Sequence, residues 1–169
     1  SRASDMNGDE LLDRCICSLK VLPVEERDDL LAHLQQMCKS EATERILLNW
    51  DEVREMHDSG IVSFGAHTAS HVILDQVLLE QAESEILQSR VDLEEHLGSS
   101  PDMFAYPNGN YNLDIQELLH KHGFQVAVTT KKEWVKKSTN LLEIPRIGMH
   151  EDVSASLPLF LGRIFLKGF

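Results

Sequence analysis

The sequence predicts an α/β fold on a parallel sheet, either a βα barrel or an open sheet, and three observations predict it. Between residues 61 and 129 short apolar stretches alternate with longer amphipathic ones, the pattern of strands joined by crossover helices. Glycines stand where the helices should stop, at Gly60, Gly98 and Gly123. Two turn-like motifs, His67-Thr-Ala-Ser-His71 and Phe104-Ala-Tyr-Pro-Asn-Gly109, each follow an apolar segment, and in α/β folds the working residues gather where strands end and loops begin.

Residues 1–48 are helical in pattern, rich in Leu, Glu, Asp and Lys, with no β-branched run long enough for a buried strand. One helix is expected from about Gly8 to Leu19. Pro23 starts a second that carries Leu30, Leu31, Leu34 and Met37 toward a core, and Asn49-x-x-Glu52 reads as the capping box of a third that stops at Gly60. The alternation then begins with a strand over 61–65. A long helix over about 76–97 shows a core face through Leu79, Ala82, Ile86, Leu93 and Leu97, its Glu and Gln residues reading as a solvated outer face, and Gly98 offers a left-handed stop. A strand near 103–106 leads to a helix bracketed by Asn112 as N-cap and Gly123 beyond its end. Phe124 to Thr129 has the apolar density of a strand covered on both faces. The chain thus divides into a helical segment, 1–48, and an α/β domain, 49–169. The helical segment is either an insertion packed on the side of the domain or a separate unit whose acidic, leucine-rich helices meet a partner; short helices need a core to pack on, which favours the first.

A chain of 169 residues fits one domain with a real core. With 28 acidic against 16 basic side chains its net charge is −12, which repels phosphate backbones and anionic membrane surfaces, so nucleic acid is not an expected partner. The longest apolar run, Leu157-Pro-Leu-Phe-Leu-Gly162, is too short to span a bilayer, and no signal-peptide pattern opens the sequence. Cys15, Cys17 and Cys38 are odd in number and lack metal-ribbon spacing; they read as free thiols.

His67 and His71 are the chemically telling pair. Neutral imidazole is a common ligand for zinc and similar divalent cations, and two rings four residues apart at a strand's end occupy two of the roughly four positions such an ion needs. The same spacing also occurs between surface residues on a helical turn; the apolar segment Ile61 to Ala66 before it favours the ligand reading. A third ligand must come from elsewhere. The turn in Tyr106-Pro-Asn-Gly109 presents backbone N–H groups outward, where one can face a developing oxyanion. Alone, it is equally an ordinary βα turn with an aromatic packed beneath.

In company the motifs become specific. His67 to His71, then Phe104 to Gly109, then Ala127-Val-Thr-Thr130 and Ile144-Pro-Arg-Ile147 resemble the polysaccharide deacetylase family over roughly Leu48 to Lys167, including the helix Trp50 to Met56 before the histidines. The resemblance implies a distorted (β/α) barrel, a divalent metal (zinc, with cobalt or nickel as alternatives), an acetylated glycan as substrate and partner, and action outside the cytoplasm or at the cell envelope. It places His67 and His71 as metal ligands, Thr68 as a buttress of their turn, the Asn108 backbone N–H as oxyanion donor, and Tyr106, Pro107 and Gly109 as support of the site. The function implied is metal-dependent hydrolysis of N- or O-acetyl groups with release of acetate; the alternative is an inactive glycan-binding module that keeps part of the metal site.

The departures from the family pattern matter equally. Its first motif, a strand ending in Asp-Asp that supplies the catalytic base and the third ligand, has no counterpart, so the barrel is expected to be incomplete at its N-terminus. Asp28-Asp29 is the one Asp-Asp pair, and it reads as a solvated helix face. Ala105 stands where many members carry an arginine that orients the base, and Asn108 replaces an aromatic. Arg146 is a candidate to orient a carboxylate in that arginine's place. His150 is a candidate for the late histidine that protonates the leaving amine, although it also reads as a surface loop residue. His57, His96, His120 and His122 fall on predicted helices and read as structural. An incomplete barrel leaves an unpaired edge, which a homodimer contact or the N-terminal segment would have to cover.

Overall fold

Local capping chemistry sets most of the helices in this structure, a computed structural model that describes residues 7–38 and 45–166. The expected helical residues at 1–6 and 39–44, and Lys167 at the end of the resemblance, lie outside the described residues. Helix α1 (Gly8–Lys20) starts at Asn7, whose side chain accepts from the Glu10 amide at 2.8 Å. Helix α2 (Val24–Cys38) follows Pro23. Helix α3 (Trp50–Asp58) has both halves of its capping box, Glu52 N to Asn49 Oδ1 at 2.9 Å and Asn49 N to Glu52 Oε2 at 2.8 Å. The Arg45 guanidinium also grips Glu52 at 2.7 Å, and that bond first, then the Asn49 amide, pull the Glu52 pKa down to about 2. Helix α4 (Leu79–Leu97) ends at Gly98 in the left-handed region (φ 69°). Helix α5 (Leu113–Lys121) starts where Asn112 Oδ1 takes the Ile115 amide at 2.9 Å. Short helices α6 (Glu151–Ser154) and α7 (Leu157–Phe165) follow.

The sheet is smaller than expected. Strands β1 (Met103–Ala105) and β2 (Val126–Val128) pair in parallel, with Phe104 opposite Ala127. Each is flanked by a single parallel bridge, Ala66 to Phe104 on one side and Ile144 to Val128 on the other, giving the lateral order Ala66, β1, β2, Ile144. Bonds from Ala66 N to Met103 O (2.9 Å) and Ala105 N to Ala66 O (2.8 Å) fasten the first of these. The strand expected over 61–65 therefore shrinks to one bridging residue, Ala66, because pairing reaches the segment only at its end. No closed barrel is present among the described residues: two strands and two bridges fall far short of the roughly eight strands a barrel of this kind needs. The α/β alternation itself is present.

The core lies between this sheet and helices α4 and α5. Ala82 and Ile86 of α4 and Ile115, Leu118 and Leu119 of α5 pack with Phe104, Tyr106, Phe124 and Ala127. Phe104 sets its ring edge-on to both Tyr106 and Phe124, with centroids 5.5 and 5.4 Å apart. Within Phe124 to Thr129 only one face is fully buried: Ala127 and Thr129 are inside, while Val126 and Val128 are half-covered. Leu79, expected in the core, is exposed at the very start of α4, while Ala82 in the same turn is buried. Leu30, Leu31, Leu34 and Met37 are exposed too, and neither α1 nor α2 buries a residue; Val24, at the start of α2, is the helix's packing contact with the core. Cys15, Cys17 and Cys38 are free thiols at the surface. Among the described residues no helix is long and apolar enough to cross a membrane.

Candidate active site

At Ala66 the chain leaves the sheet and turns sharply. Thr68 and His71 both adopt left-handed backbone, each with φ 60°, a conformation that costs of order 1–3 kcal/mol in a non-glycine residue and persists only where the surroundings fix it. The turn brings the rings of His67 and His71 together, centroids 4.8 Å apart and nearly perpendicular. His67 Nδ1 lies 2.7 Å from the carbonyl oxygen of Ala105, at the end of β1. A carbonyl only accepts, so the proton sits on Nδ1 and the lone pair on Nε2 is left for a ligand role. His71 lies at the surface, yet partial burial of its ring first, and the neighbouring His67 second, lower its pKa, favouring the neutral form that binds a cation.

Ser70, between the histidines, is held by all three of its polar groups. Its amide donates to Glu85 Oε2 at 2.8 Å and its hydroxyl to Glu85 Oε1 at 2.6 Å, while its carbonyl accepts from Arg27 of α2 at 3.1 Å. The Glu residues of α4 are thus not simply a solvated face. Glu85 is half-buried against the histidine turn, and Glu83 accepts from Lys121 Nζ (2.7 Å) and meets His122 Nε2 (2.6 Å) at the end of α5. Thr68 does not buttress the turn by hydrogen bonding: its buried hydroxyl has no partner, and Ser70 with Glu85 performs that task.

The second motif forms the loop after β1. Tyr106 is fully buried, donates to the Leu142 carbonyl at 2.9 Å and stacks on Tyr111; burial pushes its phenol well above its ordinary pKa. Pro107 starts a single 3-10 turn through Gly109, with Asn108 left-handed at φ 57° and Gly109 at φ 79°. The Asn108 carbonyl accepts from Thr130 Oγ1 at 3.3 Å, and its side-chain amide donates to Asn110 Oδ1 at 3.0 Å. Asn110 in turn donates to both oxygens of Asp75, at 3.3 and 3.1 Å, so the loop is roped to the segment that follows His71. Asn108, Tyr106, Pro107 and Gly109 therefore sit together beside the histidine turn, joined to it also through Ala105.

The remaining candidates are placed differently. Arg146 donates through Nε to the Thr129 carbonyl at 2.7 Å, bracing the end of β2, and forms no ion pair with a carboxylate among the described residues. His150 is exposed at the N-cap position of α6, where its carbonyl accepts from Ser154. His96 stacks on Trp50 at 3.9 Å and His122 binds Glu83, as structural residues would; His120 is exposed. Sequence reading missed Glu85, Ser70, Asp75 and Asn110. The only local signal was for Ser70, which lies inside the histidine motif.

The family model described as Polysaccharide deacetylase matches residues 31–127, more than half of the chain. The chain belongs to the polysaccharide deacetylase family. A curated relative, YxkH of Bacillus subtilis (strain 168), carries the name of a polysaccharide deacetylase and is 26% identical over 109 residues, which are 64% of this chain and 39% of the relative. Among solved structures, the Streptococcus pyogenes deacetylase PplD in complex with acetate superposes with a TM-score of 0.62 at 26% identity, over 69% of this chain and 50% of its own. BC0361, a polysaccharide deacetylase from Bacillus cereus, gives a TM-score of 0.60 at 30% identity, over 69% of this chain and 36% of its own. The chain spans between about a third and a half of the lengths of these relatives.

The donor set of the site fits a divalent cation in part. Two imidazoles lie in ring contact, one with its tautomer fixed by a carbonyl in the manner usual for metal-binding histidine. Among the described residues no cluster of three His, Cys, Asp or Glu side chains completes a coordination set.

Proposed function

We propose that the chain provides the histidine half of a metal-dependent deacetylase site that hydrolyses acetyl groups on a polysaccharide, N-acetylated amino sugars foremost, and releases acetate. The observation that carries this reading is the pairing of His67 with His71 at the end of the Ala66 bridge, with His67 oriented by the Ala105 carbonyl. His67 and His71 would hold the cation, zinc by ligand preference with cobalt or nickel as substitutes, and the remaining positions would be filled from outside the described residues. Such a cation, when bound, polarises the acetyl carbonyl and lowers the pKa of water. The Tyr106 to Gly109 loop orients the substrate beside it. The left-handed Asn108 turn directs backbone N–H groups toward the developing oxyanion, with Asn110 and Asp75 keeping the turn from reorganising. Acetylated glycans of this kind lie outside the cytoplasm, and action there is part of the same proposal.

The test is acetate release from an acetylated chitooligosaccharide with added zinc or cobalt, comparing wild type with His67→Ala and His71→Ala. Activity lost in both variants together with bound metal supports the reading; activity unchanged in either sinks it. The absence of a third ligand cluster among the described residues favours a second reading, a glycan-binding module without turnover. That reading predicts oligosaccharide binding by calorimetry with no acetate released.

A further inference from the structure

We propose that Glu85 is a positioning residue for the histidine pair: from helix α4 it holds the strained His67 to His71 turn through Ser70, and Arg27 of α2 completes the clamp. The inference rests on the metal-site reading above but concerns different residues. Two residues of this turn, Thr68 and His71, sit in the left-handed region, a backbone that does not hold itself. The Thr68 hydroxyl makes no bond that would stabilise it. Ser70, immediately before His71, has its amide and its hydroxyl on separate oxygens of one carboxylate, at 2.8 and 2.6 Å, and its carbonyl on Arg27 at 3.1 Å. Hydrogen bonds to an ionised acceptor are shorter and stronger than neutral ones, and the hydroxyl bond shows that shortening.

The carboxylate stands next to Ile86, which is completely buried, so α4 supplies a rigid anchor. Glu85 reaches neither imidazole by a hydrogen bond; it acts by fixing the peptide that leads into His71, as the Ala105 carbonyl fixes His67 from the sheet side. The two anchors come from opposite layers of the fold. Together they set the separation of the rings, on which joint ligation depends.

The experiment compares Glu85→Ala, Glu85→Gln and, as a control on the same helix, Glu83→Ala, whose partners are Lys121 of α5 and His122, which caps that helix. In the intact protein, cobalt binding is titrated by absorption. Glu85→Ala should weaken it about tenfold or more, the usual range for residues that orient metal ligands, and Glu85→Gln should recover part of the loss because its carbonyl still accepts one Ser70 bond. Glu83→Ala should lower the melting temperature and leave cobalt affinity as in wild type. In parallel, metal-free protein is examined by nitrogen NMR: Glu85→Ala should lose hydrogen-exchange protection at the Ser70 amide and shift the ring signals of His67 and His71. Cobalt affinity and ring signals unchanged in Glu85→Ala, or equal loss of affinity in Glu83→Ala, overturn the proposal. If wild type binds no cobalt, the metal reading fails by itself, and the ring and amide signals of the metal-free variants still decide the role of Glu85.

Discussion

Gly109 and Thr130 approach so closely that a Cβ built on the glycine would fall 2.8 Å from both Cβ and Cγ2 of the threonine, nearer than real side chains come. The same glycine has φ 79°, a backbone that an L side chain adopts only under strain. The site loop is therefore specified twice at one position, by conformation and by space. Gly109→Ala should destabilise the protein by about 2 kcal/mol or more, combining left-handed strain with a clash. The check is a denaturant melt, paired with the double variant Gly109→Ala, Thr130→Gly. Removing the threonine side chain relieves the clash but also gives up its bond to the Asn108 carbonyl, so the double variant is read against Thr130→Gly alone, and Gly109→Ala as stable as wild type contradicts the geometry.

The Glu83 bonds to Lys121 and His122 make a pH-dependent link between α4 and α5. The Lys121 hydrogen bond first, then that of His122, hold the Glu83 pKa below its ordinary value. A carboxylate with a depressed folded pKa contributes stability that is fully present above its unfolded value and is lost as pH falls through the folded one. The carboxylate's contribution to the stability difference between wild type and Glu83→Gln should therefore be full above about pH 5 and shrink on further acidification. Urea midpoints across that range measure it. A difference that widens toward acid contradicts the sign.

How much was legible beforehand follows the range of each interaction. The caps of α3 and α5 were readable because Asn49 with Glu52, and Asn112 with the Ile115 amide, act over three residues. The histidine pair was readable for the same reason, as both rings lie on one turn. Strand 61–65 was not, because pairing is non-local and touches only Ala66. Glu85 looked like any exposed helix glutamate, and its partner Ser70 lies fifteen residues away across a loop. Arg146 was placed by its motif, but its actual acceptor, the Thr129 carbonyl, carries no side-chain signature. The leucines of α2 have the spacing of a core face without a surface to bury it against among the described residues.

That last contrast gives a stability prediction. Ile86 is completely buried between α4 and the sheet, so Ile86→Ala should cost about 2–5 kcal/mol through lost transfer energy and the cavity left behind. Leu34, at 42% exposed on α2, should cost about 0.5 kcal/mol or less as Leu34→Ala. Thermal melts of the two variants decide it, and a large loss at Leu34 would show that α2 is packed against a surface beyond the described residues.

Asn110 carries the prediction closest to chemistry. Its one amide accepts from Asn108 and donates to Asp75, tying the candidate oxyanion turn to the segment after the histidines. On the proposed reading, its effect would be to keep the Asn108 peptide from turning away as charge develops, without touching the ground-state substrate. Interactions expressed only in the transition state lower kcat and kcat/KM together and leave KM unchanged. Asn110→Ala should thus lower kcat for acetate release about tenfold, the order expected when a preorganised donor is loosened but not removed, with KM as in wild type. Asp75→Asn, which keeps one acceptor oxygen for Asn110, should lose less. A change in KM alone would move Asn110 from organising the turn to binding the glycan.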